Sequence, residues 1–237
     1  VSESTRRDFL QTAAVAVPAV LLAGNAAAAD APALAVSAEA AFTLDRAPVP
    51  LPFKAGALNG ISEKLIQSHW ENNYTGAVKA LNTLRGRLKA ALADANTPAY
   101  VYTGLKREQL IRTGSVVLHD LYFANLGGNG KADGAARSAI ATSFGSFDAW
   151  EAEFRKIAAG LGGGSGWVVL GYNPHLKVLE NYWMADHATA PVGVKPILVM
   201  DLYEHAYQMD YGAAVAKYID VFFTNIQWEA VAARLSA

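Results

Sequence analysis

The chain has 237 residues, with 20 Lys and Arg against 21 Asp and Glu and a formal net charge of -1. That balance leaves no basic stripe able to track a phosphate backbone, which argues against nucleic acid as a partner. There is no cysteine, so no disulfide staples the fold, and any bound metal must be held by nitrogen and oxygen donors.

Residues 1–30 carry Arg6 and Arg7, then Phe9 and Leu10, an apolar stretch from about Ala13 to Ala23 and an alanine-rich exit. This is the pattern of a twin-arginine signal peptide. The competing reading is a membrane anchor, but the stretch is rich in alanine, contains Pro18 and leads into small residues, which favours cleavage over stable insertion. The expected location is periplasmic or extracellular. The Ala/Pro-rich residues 31–49 read as an extended lead-in rather than core. About 190 residues then remain, enough for one large or two small packed units.

From Ile61 to about Ala91 the apolar positions Leu65, Trp70, Tyr74, Val78, Leu81, Leu84 and Leu88 recur mostly at three and four, which predicts an amphipathic helix carrying His69. Ser62, followed by Glu63, stands where an N-terminal cap belongs. A second helix is expected over Leu105–Leu126, carrying His119 and ending at Gly127 and Gly128. Packed as an antiparallel hairpin, the two helices place both histidines on facing surfaces. After the glycine-rich break at 127–134, short helices are expected over Ala135–Ser143 and Ser146–Leu161, with a turn at GGGSG, residues 162–166. Trp167–Leu170 and Leu176–Tyr182 form a plausible strand hairpin, and a third strand, Pro196–Met200, delivers Asp201 at its end. Helix returns over Tyr207–Ala233 with a break near Gly212. The predicted fold class is α+β: an N-terminal helical hairpin domain at 50–127, then a C-terminal α/β domain at 128–237 with a small three-stranded antiparallel sheet.

The segment ILVMDLYEHAYQMDY, Ile197 to Tyr211, carries Asp201 at the end of an apolar run and His205 four residues on. A carboxylate leaving an apolar strand is costly to bury unless it is paired or bound to metal. His69 and His119 can complete a site of three nitrogens and one carboxylate, a donor set suited to iron or manganese. Taken singly, each histidine on an apolar helix face is as readily a packed core residue as a ligand. Glu204 reads equally as a solvent-facing helix-start carboxylate. His187, in the loop YWMADHATAP, is either beside the site or exposed, and His175, next to Pro174, reads as a surface residue.

Over roughly Leu51 to Leu235 the sequence resembles the iron/manganese superoxide dismutases. The matching passages are ISEKLIQSHW with LN at 81 and 82, SFGSFDAWEAEF at 143–154, GSGW at 164–167, DLYEHAY at 201–207, DY at 210 and 211, and NIQW at 225–228. The resemblance implies one iron or manganese per subunit held by His69, His119, Asp201 and His205, with superoxide as substrate. It also implies a homodimer in which Glu204 reaches the ligand histidine of a second copy. Asp201 is then both ligand and catalytic residue, accepting a hydrogen bond from the metal's solvent. His187 stands where the family places a glutamine or histidine beside that solvent. Trp70, Phe123, Trp167 and Tyr203 are expected in the apolar shell, Tyr203 replacing a tryptophan of the family motif.

The departures bear on activity more than on fold. Ala77 occupies the place of the family's entrance tyrosine, and eight residues of ideal helix put it about 80 degrees around from His69. Asn73 and Tyr74 stand where histidines are common, Ser115 at the iron-type glutamine position, Gln208 for a second-sphere tyrosine and Val215 for an anion-guiding arginine. A different redox enzyme of peroxidase-like activity, or a non-catalytic exported metal-binding protein, are the rival readings.

Overall fold

The computed structural model describes residues 39–236, and these fold as one compact unit; the twin-arginine segment and residues 31–38 of the lead-in lie outside the described residues. A short helix α1 (Ala40–Thr43) precedes α2 (Glu63–Ser68), which runs through a π-helical turn at His69–Tyr74 into α3 (Thr75–Ala93). Ser62 caps the start as expected, its Oγ accepting from the Leu65 N–H at 3.1 Å. The π turn was not legible in the sequence: the Thr75 N–H bonds back to the Trp70 carbonyl, widening the helix where His69 sits.

Helix α4 (Ala99–Ala124) follows a tight turn made by Asp94 and packs beside α3 as the predicted hairpin. It begins six residues before the expected Leu105. Residues 99–104 are mostly exposed and show no apolar period, and Gly104 mimics a break although the helix passes through it. Only the second half of α4 is buried, through Ser115, Val116, Leu118, His119, Tyr122 and Phe123, and this is the half that faces the site.

Helices α5 (Gly134–Phe144) and α6 (Phe147–Leu161) are capped by Asp133 and Ser146, whose side chains accept from Ala136 and Ala149 N–H groups at 2.7 and 3.0 Å. In α6 the buried residues Phe147, Trp150, Phe154, Ala158 and Leu161 form one stripe at helical spacing. Strands β1 (Trp167–Asn173), β2 (Val178–Met184) and β3 (Lys195–Asp201) then form an antiparallel sheet in the order β2-β1-β3. Central β1 is buried from Trp167 to Gly171, and its first residue lies opposite Asp201 of β3.

The remaining helices are α7 (Gln208–Tyr211), α8 (Val215–Thr224) and α9 (Trp228–Ser236). The predicted break falls at Gly212, whose φ of 51° is a left-handed conformation that costs a side-chain-bearing residue dearly. A second break at Asn225–Gln227 has a role that spacing does not reveal. Asn225 is buried, accepts from the Asn59 N–H at 2.8 Å and donates to the Asn59 carbonyl at 2.7 Å. This clamp ties the approach to the His69 helix to the α8–α9 turn. The described end of the lead-in is also held: Arg46 pairs with Asp120, Asn82 bonds both the Arg46 N–H and carbonyl, and the Trp70 indole donates to the Val49 carbonyl at 3.0 Å. One hydrophobic cluster joins residues of the hairpin, the sheet and α6, α8 and α9.

Replacing Asn225 by Ala leaves both Asn59 backbone groups without these partners. The metal-free protein is expected to lose about 1–3 kcal/mol of stability in urea unfolding; an unchanged midpoint would remove the clamp from the account.

Candidate metal centre

Four elements converge on one point. His69 comes from the π turn, His119 from the buried half of α4, Asp201 from the end of β3, and His205 from the short 3-10 turn Glu204–Ala206. One donor atom from each lies within 4.8 Å of all the others, and this is the group of that kind among the described residues. Nε2 of His69 and of His205 each lie 3.2 Å from Asp201 Oδ2, and Nε2 of His119 lies 3.7 Å from it.

The surroundings fix the orientation of each donor. His119 Nδ1 donates to the Ser115 carbonyl at 2.7 Å, which leaves the Nε2 lone pair facing Asp201. Asp201 Oδ1 accepts from the Tyr203 N–H at 2.8 Å, leaving Oδ2 for the cluster. Beneath the strand end, the Tyr218 hydroxyl donates to the Asp201 carbonyl at 2.8 Å and meets the Tyr122 hydroxyl at 3.1 Å.

Burial opposes charge on both inner histidines. It pulls His119 down to about 3, helped by neighbouring His69, and it lowers His69 despite the opposing pull of Asp201. Burial pushes the Asp201 carboxyl upward, but the charge and hydrogen bond of His205, with His69 close by, more than offset this and hold it well below the usual carboxylate range. Neutral imidazoles around an ionised carboxylate are the protonation states that bind a metal. Both ring nitrogens of His69 and Nε2 of His119 are buried without a hydrogen-bond partner. Orphaned buried nitrogens are costly, and a cation between them and Asp201 would satisfy the Nε2 atoms at once. The residues fit a single iron or manganese ion.

Aromatic rings wall the cluster. Phe123 is 5.0 Å from the His69 ring, Trp167 is 5.1 Å from His119 and Tyr203 is 5.3 Å from His205 between ring centroids. Trp70 is turned instead toward the lead-in through its indole bond to Val49. Tyr122, 5.2 Å from His69, is a wall residue that the sequence did not single out.

A cavity of about 280 Å³ opens over His119 and His205 and is also lined by Asn73, Ala77, Arg112 and His187. Ala77 is thus at the site despite the π turn, and it offers no hydroxyl. Ser115 is buried, with Oγ 3.4 Å from His119 Nδ1. Gln208 is exposed, while the Val215 side chain packs where a side chain on Gly162 would begin, 2.6 Å from that position. His187 is half-buried: its Nδ1 accepts from the Trp167 indole at 2.9 Å and its ring stacks on Tyr203 at 4.7 Å. With Nδ1 occupied as an acceptor, the neutral ring carries its proton on Nε2. His175 is exposed, as expected.

A three-histidine, one-carboxylate pocket at the junction of a helical hairpin and a three-stranded sheet defines a mononuclear metalloprotein of the oxygen-chemistry class. The sequence model for the C-terminal domain of iron/manganese superoxide dismutases matches residues 132–234. An iron superoxide dismutase of Cupriavidus metallidurans is 50% identical over 188 residues, covering 79% of this chain and 95% of that protein. An iron superoxide dismutase of Aquifex aeolicus is 35% identical over 181 residues, 73% and 84% of the two chains. A manganese superoxide dismutase of Mycolicibacterium fortuitum is 33% identical over 191 residues, 79% and 91%. The chain belongs to the iron/manganese superoxide dismutase family.

Close approach of the His187 loop to α4 depends on Gly114. A Cβ there would stand 1.8 Å from the His187 carbonyl oxygen. Gly to Ala inside a helix ordinarily stabilises by about 1 kcal/mol; here the sign should reverse. Gly114→Ala is expected to destabilise by about 1–3 kcal/mol through overpacking and to shift the Trp167 indole N–H resonance as His187 is displaced. Added stability with an unmoved indole signal would contradict this packing.

Proposed function

We propose that this protein converts superoxide to dioxygen and hydrogen peroxide at one iron or manganese ion held by His69, His119, Asp201 and His205. The observation that carries the reading is the buried Asp201 carboxylate ringed by three imidazoles, with Nε2 of His69 and of His119 otherwise orphaned. Held by His69, His119, Asp201 and His205, an iron or manganese ion would supply the one-electron couple by which one superoxide is oxidised to dioxygen and a second, with two protons, is reduced to hydrogen peroxide.

The chain's own contributions follow from the geometry. The two buried imidazoles, held neutral, and the ionised Asp201 leave the centre with a net positive charge able to attract an anion. Aromatic walls restrict water to the cavity side. His187, anchored by Trp167 and Tyr203, holds a proton on Nε2 at that cavity, which makes it the candidate hydrogen-bond donor to solvent there, where Ala77 offers no hydroxyl. The opening left by Ala77 also favours a second reading, peroxide-dependent oxidation of a larger substrate at the same ion.

The comparison that decides is turnover and its pH dependence, on metal-loaded protein, in the starting chain, Ala77→Tyr and His187→Ala. Superoxide turnover is expected in all three, faster with the tyrosine and about 10-fold slower without His187, the scale of losing one hydrogen bond worth about 1.4 kcal/mol. Absence of superoxide turnover together with peroxide-dependent oxidation would move the assignment to the second reading.

Two further features belong to the proposal. The Arg6 and Arg7 pair directs export of an already folded, metal-loaded chain to the periplasm or cell exterior. The working form is a homodimer, in which exposed Glu204 reaches the ligand histidine of a second copy; His205 suits this because its side chain keeps 25% of its surface accessible while the other three ligands are buried. Replacing Arg6 and Arg7 by Lys should abolish delivery outside the cytoplasm, and Glu204→Ala should shift sedimentation of the metal-loaded protein toward monomer. Undiminished export, or an active monomer at micromolar concentration in the starting protein, would remove the corresponding feature.

A further inference from the structure

The cavity over the metal centre has one permanently charged side chain among the described residues that line it, Arg112. Its position is set by helix geometry. Arg112, Ser115 and His119 follow one another at i, i+3 and i+7 on α4 and so share a face. Seven residues of helix separate Arg112 from His119 by about 10 Å along the axis.

Arg112 is not committed to the core. Its guanidinium Nε donates to Glu108 Oε1 at 2.7 Å across one helical turn, and the two side chains keep 39% and 40% of their surface exposed. An exposed pair of this kind is worth a few tenths of a kcal/mol, so it neither fixes the fold nor holds the arginine in place. Val215, by contrast, is packed against Gly162 and supplies no cation.

We infer that Arg112 is the residue that draws the anionic substrate into this cavity and that Glu108 is its built-in attenuator. This deepens the reading of the site as a superoxide-consuming centre and rests on it. The guanidinium reaches toward Glu108, a turn farther from His119, so it acts on an anion entering the cavity rather than at the centre itself; a monovalent anion about 10 Å from a single charge, in a medium between water and protein in polarity, is concentrated about two- to fivefold. That distance is close to the screening length at 0.1 M salt, so the effect must fade as ionic strength rises.

The test uses the metal-loaded, full-length protein with Arg112→Gln, Arg112→Lys and Glu108→Gln, and two readouts. The first is kcat/KM for superoxide against ionic strength; the second is the dissociation constant of azide, read from the metal's absorption. Arg112→Gln is expected to lower kcat/KM and weaken azide about two- to fivefold at low salt and to flatten the salt dependence, with metal content unchanged. Arg112→Lys should retain most of both, and Glu108→Gln should move both in the opposite direction. A merely structural role would make Arg112→Gln and Glu108→Gln shift together, and that result would overturn the inference, as would an unaltered salt slope in Arg112→Gln. Azide separates the two levels: opposite azide shifts in a protein without superoxide turnover would uphold the anion guide while removing the proposed activity.

Discussion

The structure is organised around one buried anion. Asp201 ends an apolar strand, is inaccessible to solvent and lies within 3.2 Å of two imidazole nitrogens and 3.7 Å of a third. Isolated, an ionised carboxylate in that position would cost far more than a domain's net stability. The three imidazoles offset only part of that, because Nε2 of His69 and of His119 stay without hydrogen-bond partners. A cation supplies the missing term, which makes metal binding part of the folding free energy as well as of the chemistry.

That requirement explains why the ligands come from four elements distributed over the chain. The hairpin brings two histidines from separate helices, and the sheet brings the carboxylate because Asp201 pairs in register with Trp167 on the central strand. Tyr218 then bonds to the Asp201 carbonyl, and Tyr122 to Tyr218 beneath it, so α8 is coupled to the same point. Asn125 adds another tie, donating to the Val199 carbonyl on β3 at 2.8 Å from just beyond the end of α4. Hairpin and sheet therefore meet through specific polar bonds as well as through apolar contact, and the ligand from each is held by its own element and by a neighbour.

The order of elements was legible because it depends on short-range signals: apolar periodicity, capping residues and glycine stops. The full ligand set came from the family resemblance, because each histidine taken singly reads equally as core. What stayed hidden depends on packing between distant segments. The π turn at His69–Tyr74 has no sequence period of its own, and its residues read as ordinary helix. The exposed first turns of α4 carry no apolar pattern because nothing covers them. The Tyr122–Tyr218 pair joins residues 96 positions apart, and Gly114 matters only because the His187 carbonyl comes against it. Arg112 was discoverable, since it shares the face of Ser115 and His119, but a helix-face count centred on apolar residues passes over a cation.

The absence of a hydroxyl at Ala77 bears on how protons reach the centre, because the tyrosines nearby are already engaged. Tyr74 donates to Asp120 and accepts from the Val49 N–H at 2.7 Å. Tyr122 and Tyr218 are bonded to each other, and burial raises the pKa of both, so they give up protons reluctantly. Tyr203 is pushed up to about 12, first by burial and then by Asp201, and its ring serves as the stacking platform between His187 and His205. None of these four replaces a hydroxyl at the entrance. His187 differs from them in its placement: one nitrogen is engaged by Trp167, which fixes the ring, and its remaining Nε2–H is a hydrogen-bond donor at the cavity. On the proposed reading, the hydrogen-bond donor at this cavity is a loop-borne imidazole rather than a helix-borne phenol, and the glycine of α4 is what lets that loop come so close.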